Sequence, residues 1–295
     1  MSPVPSRRLP VLKTWKLFVG GVFLRSESGR GLPVQDRRGR ALGHAARASR
    51  KDLREAVEAA RKALPDWAGR SGYNRGQILY RMAEMLEGRA EDAARLLAAT
   101  VEGGLRRARR EVGAAVDRLV GFAGWADKIP QVLGCANPVD GPFYNSTVLE
   151  PVGVVGAVAP DEEPLLALVA LIAPPLCAGN TVVALGSERH PLAASLLGEV
   201  CATADLPAGA VNLLTGRRSE LLEVLARHRE VGALHAALAA RAERRLLEEG
   251  SAENLKRVRA RDLRRLDWYD AGAALDPAWI EPFVEAKTLW HPRSL

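Results

Sequence analysis

The sequence predicts an α/β fold built on a doubly wound parallel sheet with flanking helices, and three observations carry that expectation. Residues 150–186, EPVGVVGAVAPDEEPLLALVALIAPPLCAGNTVVALG, read as strand, turn, helix and strand, with no Lys or Arg in a chain that holds 42 of them. Residues 191–204 then place Leu192, Leu196, Leu197 and Val200 at helical spacing, and residues 210–215, AVNLLT, form an apolar run closed by Gly216. Strand, helix, strand, helix, strand in that order predicts parallel pairing with helices packed on the faces. The uncharged stretch must be interior. After Glu150 its only charges are Asp161, Glu162 and Glu163, gathered in the turn after the first strand, where a sheet of this class presents a ligand.

The other elements follow in order. Residues 1–15 read as a polar arm. Residues 16–24, KLFVGGVFL, are two extended runs around a Gly-Gly turn and predict a small surface hairpin. Ser49 with Asp52 has capping-box spacing ahead of Leu53, Val57, Ala60 and Leu64, and Pro65 is expected to end that helix. Asn74 with Gln77 repeats the device before Ile78, Leu79, Met82, Met85 and Leu86. A third helix over about 91–101 is closed by Gly103 and Gly104. A fourth carries Ala108, Val112, Ala115, Leu119 and Phe122 on one face. Its cluster of Arg106, Arg107, Arg109 and Arg110 reads as a solvated face paired with local Glu.

Residues 137–141 form a turn-rich break, and 143–150 read as an edge strand, which needs a cover that a partner subunit can supply. From Ser219 the chain reads as helical and charged, through Leu221, Leu222, Leu225, Leu246, Leu247 and Leu255. The basic run from Lys256 to Arg265 is expected as a solvated helix. Beyond it, positions 268, 269, 279 and 290 hold four of the chain's ten Trp and Tyr residues, which points to a tail that docks on its own domain or on a partner.

With 47% apolar and 26% charged residues the chain is an ordinary globular sequence. The net charge of +7 rests on Arg, only seven of the 42 basic residues being Lys. No aromatic residues interleave with the basic runs and no docking motif appears, so nucleic acid is not expected as the ligand. Cys135, Cys177 and Cys201 have neither paired nor metal-type spacing, which predicts reduced thiols, a cytoplasmic setting and no metal. MSPVPSRRLP is followed by no apolar segment of signal-peptide type. The longest apolar run, 165–179, is too short to span a membrane and contains Pro174 and Pro175, so it is expected as a buried helix.

EPVGVVGAVAP followed by Pro164, LIAPPLCAGNTVV, Ser187-Glu188 and DLPAGAVNLLTG together resemble the coenzyme-binding half of the aldehyde dehydrogenase superfamily. KLFVGGVFLRSESGR and the helices from Arg50 to Arg89 agree with that family's N-terminal segments, so the resemblance spans residues 16–230. GSAENLKRV and FVEAKTLWHP further resemble the non-catalytic second module of family-16 type aldehyde dehydrogenases. The resemblance implies a Rossmann-like coenzyme-binding domain over 16–265, with an oligomerisation-type β extension near 131–150 and an aromatic docking tail over 266–295. NAD or NADP is the coenzyme it implies.

The same resemblance shows what this sequence lacks. Active members have Trp, Asn and an aromatic residue where this chain has Asp161, Glu162 and Glu163, and the Asn amide helps to stabilise an oxyanion. An ionised carboxylate cannot donate that bond and repels the developing charge. The Lys that helps to bind the adenosine ribose is replaced by Leu185, although Ser187 and Glu188 match. The Gly-Ser turn that faces the pyrophosphate has no counterpart in VGALHAALAA, residues 231–240. His235 there reads as structural. The nucleophilic Cys of the family lies in a separate domain after the coenzyme half, for which 231–295 is too short, and the three Cys have no activating neighbours. The catalytic domain is expected to be absent, with no catalytic residue.

What remains is a vestigial cofactor set, Pro160, Ser187, Glu188 and Gly216. The sequence therefore predicts an inactive member, with no cofactor expected, that serves as a structural or regulatory partner. It would self-associate or join a full-length aldehyde dehydrogenase. A dinucleotide-binding module and an NAD(P)-dependent aldehyde oxidoreductase are the alternatives.

Overall fold

The computed structural model describes residues 11–293. Five short strands come first: β1 (Lys13–Trp15), β2 (Leu17–Val19), β3 (Val22–Leu24), β4 (Gly31–Gln35) and β5 (Ala41–Ala46). Four helices follow, α1 (Arg50–Gly69), α2 (Gly72–Glu87), α3 (Ala90–Thr100) and α4 (Gly104–Trp125). A single turn, α5 (Ile129–Val132), leads into β6 (Cys135–Ala136) and β7 (Phe143–Pro151). The alternating centre then runs β8 (Val154–Val158), α6 (Pro164–Cys177), β9 (Thr181–Leu185), α7 (Leu192–Cys201), β10 (Val211–Leu214), α8 (Arg218–Arg227), β11 (Val231–Leu238), α9 (Arg241–Ala252) and β12 (Arg257–Asp262). After α10 (Ala271–Ala274) and two 3₁₀ turns, β13 (Val284–Pro292) ends the ordered elements.

The central sheet has the order β12-β11-β8-β9-β10-β2-β3, with parallel pairing from β12 to β10. This is the expected doubly wound arrangement. Every residue of α6 is buried, which is what a helix apolar on all sides requires. It lies in the core cluster shared with α2, α3, α4 and α7, whereas α1, α8 and Leu247 of α9 pack in the cluster that also takes Val154, Val158, Val183 and Leu185. No described helix is long and apolar enough to cross a membrane.

The helix starts follow their side chains. Ser49 Oγ accepts from the N–H groups of Lys51 and Asp52, and Asp52 accepts from Ser49 N at 2.7 Å, completing the capping box. Pro65, however, does not stop α1. The helix continues to Gly69 because Ala63 and Trp67 are buried, and Trp67 Nε1 donates to the Leu176 carbonyl at 3.1 Å, so tertiary packing outweighs the one backbone bond a proline removes. The cap of α2 is Ser71, which accepts from Asn74 N, rather than Asn74 itself.

Several expected elements sit elsewhere. Of the arm expected over 1–15, residues 1–10 lie outside the described part, and Lys13–Trp15 is a strand paired parallel with β5. The hairpin of β2 and β3 is not a surface appendage: β2 is buried throughout and extends the central sheet by antiparallel pairing with β10. The strand β7 is not an edge. It lies between β6 and β13, and β13 pairs with it along its whole length, from Val284 opposite Pro151 to Pro292 opposite Phe143. The free edge therefore passes to β13, whose residues after Val284 are all exposed.

Residues 231–238, read as part of a helical stretch, form the buried strand β11. Residues 257–262, read as a solvated helix, form β12, where Arg257 and Arg259 alternate with the half-buried Val258 and Ala260. The three-stranded sheet β1-β5-β4 carries Gly, Pro and Ala in its strands and had no sequence signal.

Candidate functional site

The connections from β8 through α6 to β9, and on to β10, progress in one direction across the sheet, whereas α8 carries the chain back to the far side of β8. The winding reverses at β8, so the ligand crevice of this architecture lies outside the carboxyl ends of β8 and β11. The acidic trio stands there, as the turn between β8 and α6.

Asp161 is the centre of one cluster. Its Oδ1 accepts from Ser187 Oγ at 2.6 Å, from Arg218 Nη2 at 3.1 Å and from Arg189 N at 3.2 Å. Burial by itself would raise this carboxyl, but Ser187, Arg218 and Arg189 together hold it below the usual carboxylate range. Arg218 Nη2 also donates to the Ala159 carbonyl at 2.9 Å, while its backbone N–H donates to Glu188 Oε2 at 2.9 Å. One arginine thus spans the ends of β8, β9 and β10. Sequence reasoning stopped at Gly216 and missed it; the signal was a charged Arg where the strand gives way to a helix start.

The four residues expected as a cofactor set are placed as follows. Ser187 is fully buried between Asp161 and the backbone N–H of His190. Glu188 is committed to Arg218. Gly216 is buried where a Cβ would meet Leu221 at 3.0 Å and Ala48 N at 3.3 Å, so its lack of a side chain serves the approach of the segment after β5. Pro160 is buried and, having no N–H, offers the crevice no backbone donor. Leu185 is an apolar side chain buried at the end of β9.

A second cluster lies at the start of α6. Glu163 adopts a left-handed backbone with φ of 46°, which a non-glycine residue takes only when held. The holders are Arg107, whose Nε and Nη2 donate to Oε1 at 3.1 and 2.7 Å, and Tyr269, whose hydroxyl donates to Oε2 at 2.6 Å. The first free N–H groups of α6, those of Leu165 and Leu166, donate to Glu111 Oε1 at 2.7 and 3.3 Å. Glu111 comes from α4 and is fully buried. Burial, reinforced by the neighbouring Glu163 charge and opposed by those N–H bonds, pushes its carboxyl up to about 7. Its position between Ala108 and Ala115 on the apolar stripe of α4 was the readable sign. Glu162 stays exposed at the mouth.

The Arg cluster of α4 is therefore only partly a solvated face. Arg109 pairs with Glu91, but Arg107 holds the turn and Arg110 stacks over the Tyr269 ring at 3.8 Å. The segment after β12 closes the neighbourhood. Trp268, Trp279, Ile280 and Phe283 are buried, and the buried Arg118 of α4 donates to the carbonyls of Trp268 and Ala274 at 2.8 and 3.0 Å. His235 is fully buried; its Nδ1 is 2.9 Å from the Leu171 carbonyl and its Nε2 accepts from Arg261 Nε at 2.8 Å. Burial and the nearby Arg261 charge keep the ring neutral, with Nδ1 as the donor. Burial also pushes the Cys201 thiol up to about 12 and Cys177 higher still; Cys135 is exposed on β6. No group of three or more His, Cys, Asp and Glu among the described residues is placed to hold a metal ion.

The match that decides the family covers residues 23–261, which fit the description "Aldehyde dehydrogenase family". The chain belongs to the aldehyde dehydrogenase family. It is 33% identical to the mitochondrial benzaldehyde dehydrogenase of Antirrhinum majus, a match that covers 82% of this chain and 46% of that protein. With retinal dehydrogenase 2 of Mus musculus the identity is 34%, over 88% of this chain and 50% of the relative. The crystal structure of PnpE from Pseudomonas sp. WBC-3 superposes with a TM-score of 0.80 at 30% identity, covering 84% of this chain and 50% of PnpE. Another PnpE structure, in complex with nicotinamide adenine dinucleotide, matches at 31% identity with the same TM-score of 0.80, over 83% of this chain and 50% of that one. The chain spans about half the length of the curated relatives it matches.

Proposed function

We propose that this chain is a catalytically inactive aldehyde-dehydrogenase-like module, a pseudoenzyme that acts as a structural or regulatory partner, either self-associating or joined to a full-length dehydrogenase. The observation that carries this reading is the start of α6. There the positive end of the helix, which in this architecture faces the ligand, is satisfied internally by Glu111 and rimmed by Asp161, Glu162 and Glu163. Asp161 and Glu163 are already paired with Arg218 and Arg107, so the carboxylate that opposes an approaching phosphate or a developing oxyanion is the exposed Glu162, and none of the three donates a hydrogen bond to either. A dinucleotide fits these residues poorly: Ser187 and Glu188 are already bonded, Leu185 is apolar, and Leu238, Ala239 and Ala240 supply no glycine turn ahead of α9. We therefore derive no hydride transfer through a coenzyme. The free edge of β13, beside the exposed Trp290, Leu289 and Tyr144, is the surface best suited to a partner.

Recovery of the tagged full chain from its native cells tests this reading. A homo-oligomer, or a complex containing a full-length dehydrogenase, is expected; a lone monomer at native concentration overturns it. A second reading, retained dinucleotide affinity without chemistry, is favoured by the cleft of about 390 Å³ at the first turn of α9, which Arg241 and Arg244 line. Calorimetry with NAD and NADP decides it, since no heat at millimolar cofactor removes it.

A further inference from the structure

Ser195, Gly198 and Glu199 recur on one face of α7 at helical spacing. Gly198 lets the helix close on the hairpin of β2 and β3, since a Cβ there would stand 3.2 Å from both Phe18 and Phe23. Beside that contact α7, β1 and β3 leave a cavity of about 270 Å³, walled by Trp15, Phe23 and Ser195 and rimmed by Lys13, Lys16 and Glu199. Trp15 is buried, and Phe23 is half-buried with its ring 5.2 Å from that of Phe18, so both aromatic walls are fixed by packing. Ser195 differs from the rest of the wall. It is 5% exposed, yet its hydroxyl meets no hydrogen-bond partner among the described residues, not even a carbonyl of the preceding turn. Native folds leave few buried polar atoms so, and one on a residue that lines a cavity marks a bond for the occupant of that cavity to make.

We propose that this cavity binds a small aromatic carboxylate with a polar substituent on its ring. The ring lies between Trp15 and Phe23, the carboxylate meets Lys13 and Lys16, and the substituent bonds to Ser195 Oγ. Size sets the limit of one ring, because pockets for drug-sized ligands run from about 300 to 1,000 Å³. The aromatic class follows from the walls, since ring pairs gain more than the burial of their area. The sign of the charge follows from the rim. Glu199 is shared between Lys13 at 3.8 Å and Arg89 at 3.9 Å, and Lys16 adds a third cation to that one carboxylate. Lys13 Nζ, 5.5 Å from the centre of the Trp15 ring, brings its charge to the edge of the apolar wall. The site is separate from the crevice at β8, for β3 is the last strand of the central sheet and β9, β10 and β2 stand between them.

The full chain is titrated calorimetrically with 4-hydroxyphenylacetate, phenylacetate, cyclohexylacetate and tyramine, as wild type, Ser195→Ala and Lys16→Gln, and thermal denaturation is recorded for each. Wild type is expected to bind 4-hydroxyphenylacetate at millimolar concentration or below, and phenylacetate about fivefold more weakly for want of one hydrogen bond. Cyclohexylacetate should be weaker again by about threefold, having no ring face to pair, and tyramine should give no heat. Ser195→Ala removes only an unpaired hydroxyl, so it should melt no lower than wild type and bind both aromatic acids with the affinity of phenylacetate. Lys16→Gln should weaken both acids by about threefold. Four results overturn the proposal: no heat from wild type with any of the acids at millimolar concentration, tyramine bound as tightly as 4-hydroxyphenylacetate, a lower melting temperature in Ser195→Ala, or a preference for the hydroxylated acid that survives in that variant. The last would leave water as the partner of the hydroxyl. If Ser195→Ala does not fold, the preference of wild type among the four probes and the loss in Lys16→Gln decide the matter.

Discussion

The Tyr269 hydroxyl donates to Glu163 at 2.6 Å, tying the segment after β12 to the left-handed residue at the start of α6. The bond joins residues 106 positions apart and is one of two side-chain restraints on Glu163, Arg107 being the other. Arg110 stacked on the same ring fixes the phenol from behind.

Tyr269→Phe should therefore loosen both partners of this contact at once. A hydrogen bond to a charged group is worth about 1.5–3 kcal/mol, and this one is half-buried, so a loss of about 1–2 kcal/mol is expected. Thermal denaturation measures it. Arg107→Ala in the same background should cost less than it does in wild type, because the turn has already relaxed; strict additivity would show that the two restraints act separately.

Trp279→Ala is expected to cost more, about 3–5 kcal/mol, the usual range for removing a buried aromatic ring. Arg261 stacks at 3.2 Å over this ring, Trp268 lies 6.4 Å away, and the indole N–H donates to the Ala273 carbonyl. Hydrogen exchange should show amides of 263–283 losing protection while those of β8 and β9 keep theirs. Uniform loss across the sheet would mean that the tail and the core unfold as one unit.

These contacts separate what was legible in the sequence from what was not. The centre was legible because a stretch without Lys or Arg has only one place to go, and β8, α6 and β9 fall inside it. The strand β11 was not, since Val231–Leu238 is largely Ala, Gly and Leu, which periodicity cannot assign to strand or helix. The candidate site was half legible. Ser187 and Glu188 are named by local motif, but their commitment to Asp161 and Arg218 is a tertiary fact, spanning 26 and 30 positions. Glu111 and Arg118 stood out only as charges on an apolar stripe, and their partners lie 54 to 156 residues away.

Leu289→Glu tests the β13 edge. The side chain is 53% exposed, so the isolated chain should change stability by no more than about 0.5 kcal/mol. Association through that edge should nevertheless weaken, because the substitution places a new charge on the strand that would pair. Sedimentation of wild type and variant over a concentration series reads the difference; identical profiles would remove β13 from the interface.

Glu111 should give the fold a pH dependence of unusual sign. Burial raises its carboxyl from an ordinary 4.5 to about 7, so between those values the folded chain keeps a proton that the unfolded chain has lost. Its contribution is therefore fully present below pH 4.5, falls as pH rises, and is gone above about 7. At about 1.4 kcal/mol per unit the full swing is about 3 kcal/mol. Asp161, held low by Ser187 and Arg218, acts in the opposite direction at lower pH, so the comparison must be made against Glu111→Gln. That variant retains an acceptor for the Leu165 and Leu166 N–H groups but does not titrate. Urea unfolding at a series of pH values should show the wild type losing stability relative to Glu111→Gln between pH 4.5 and 7, with a constant difference above that range. Parallel curves throughout would show that Glu111 ionises as freely in the folded chain as in the unfolded one.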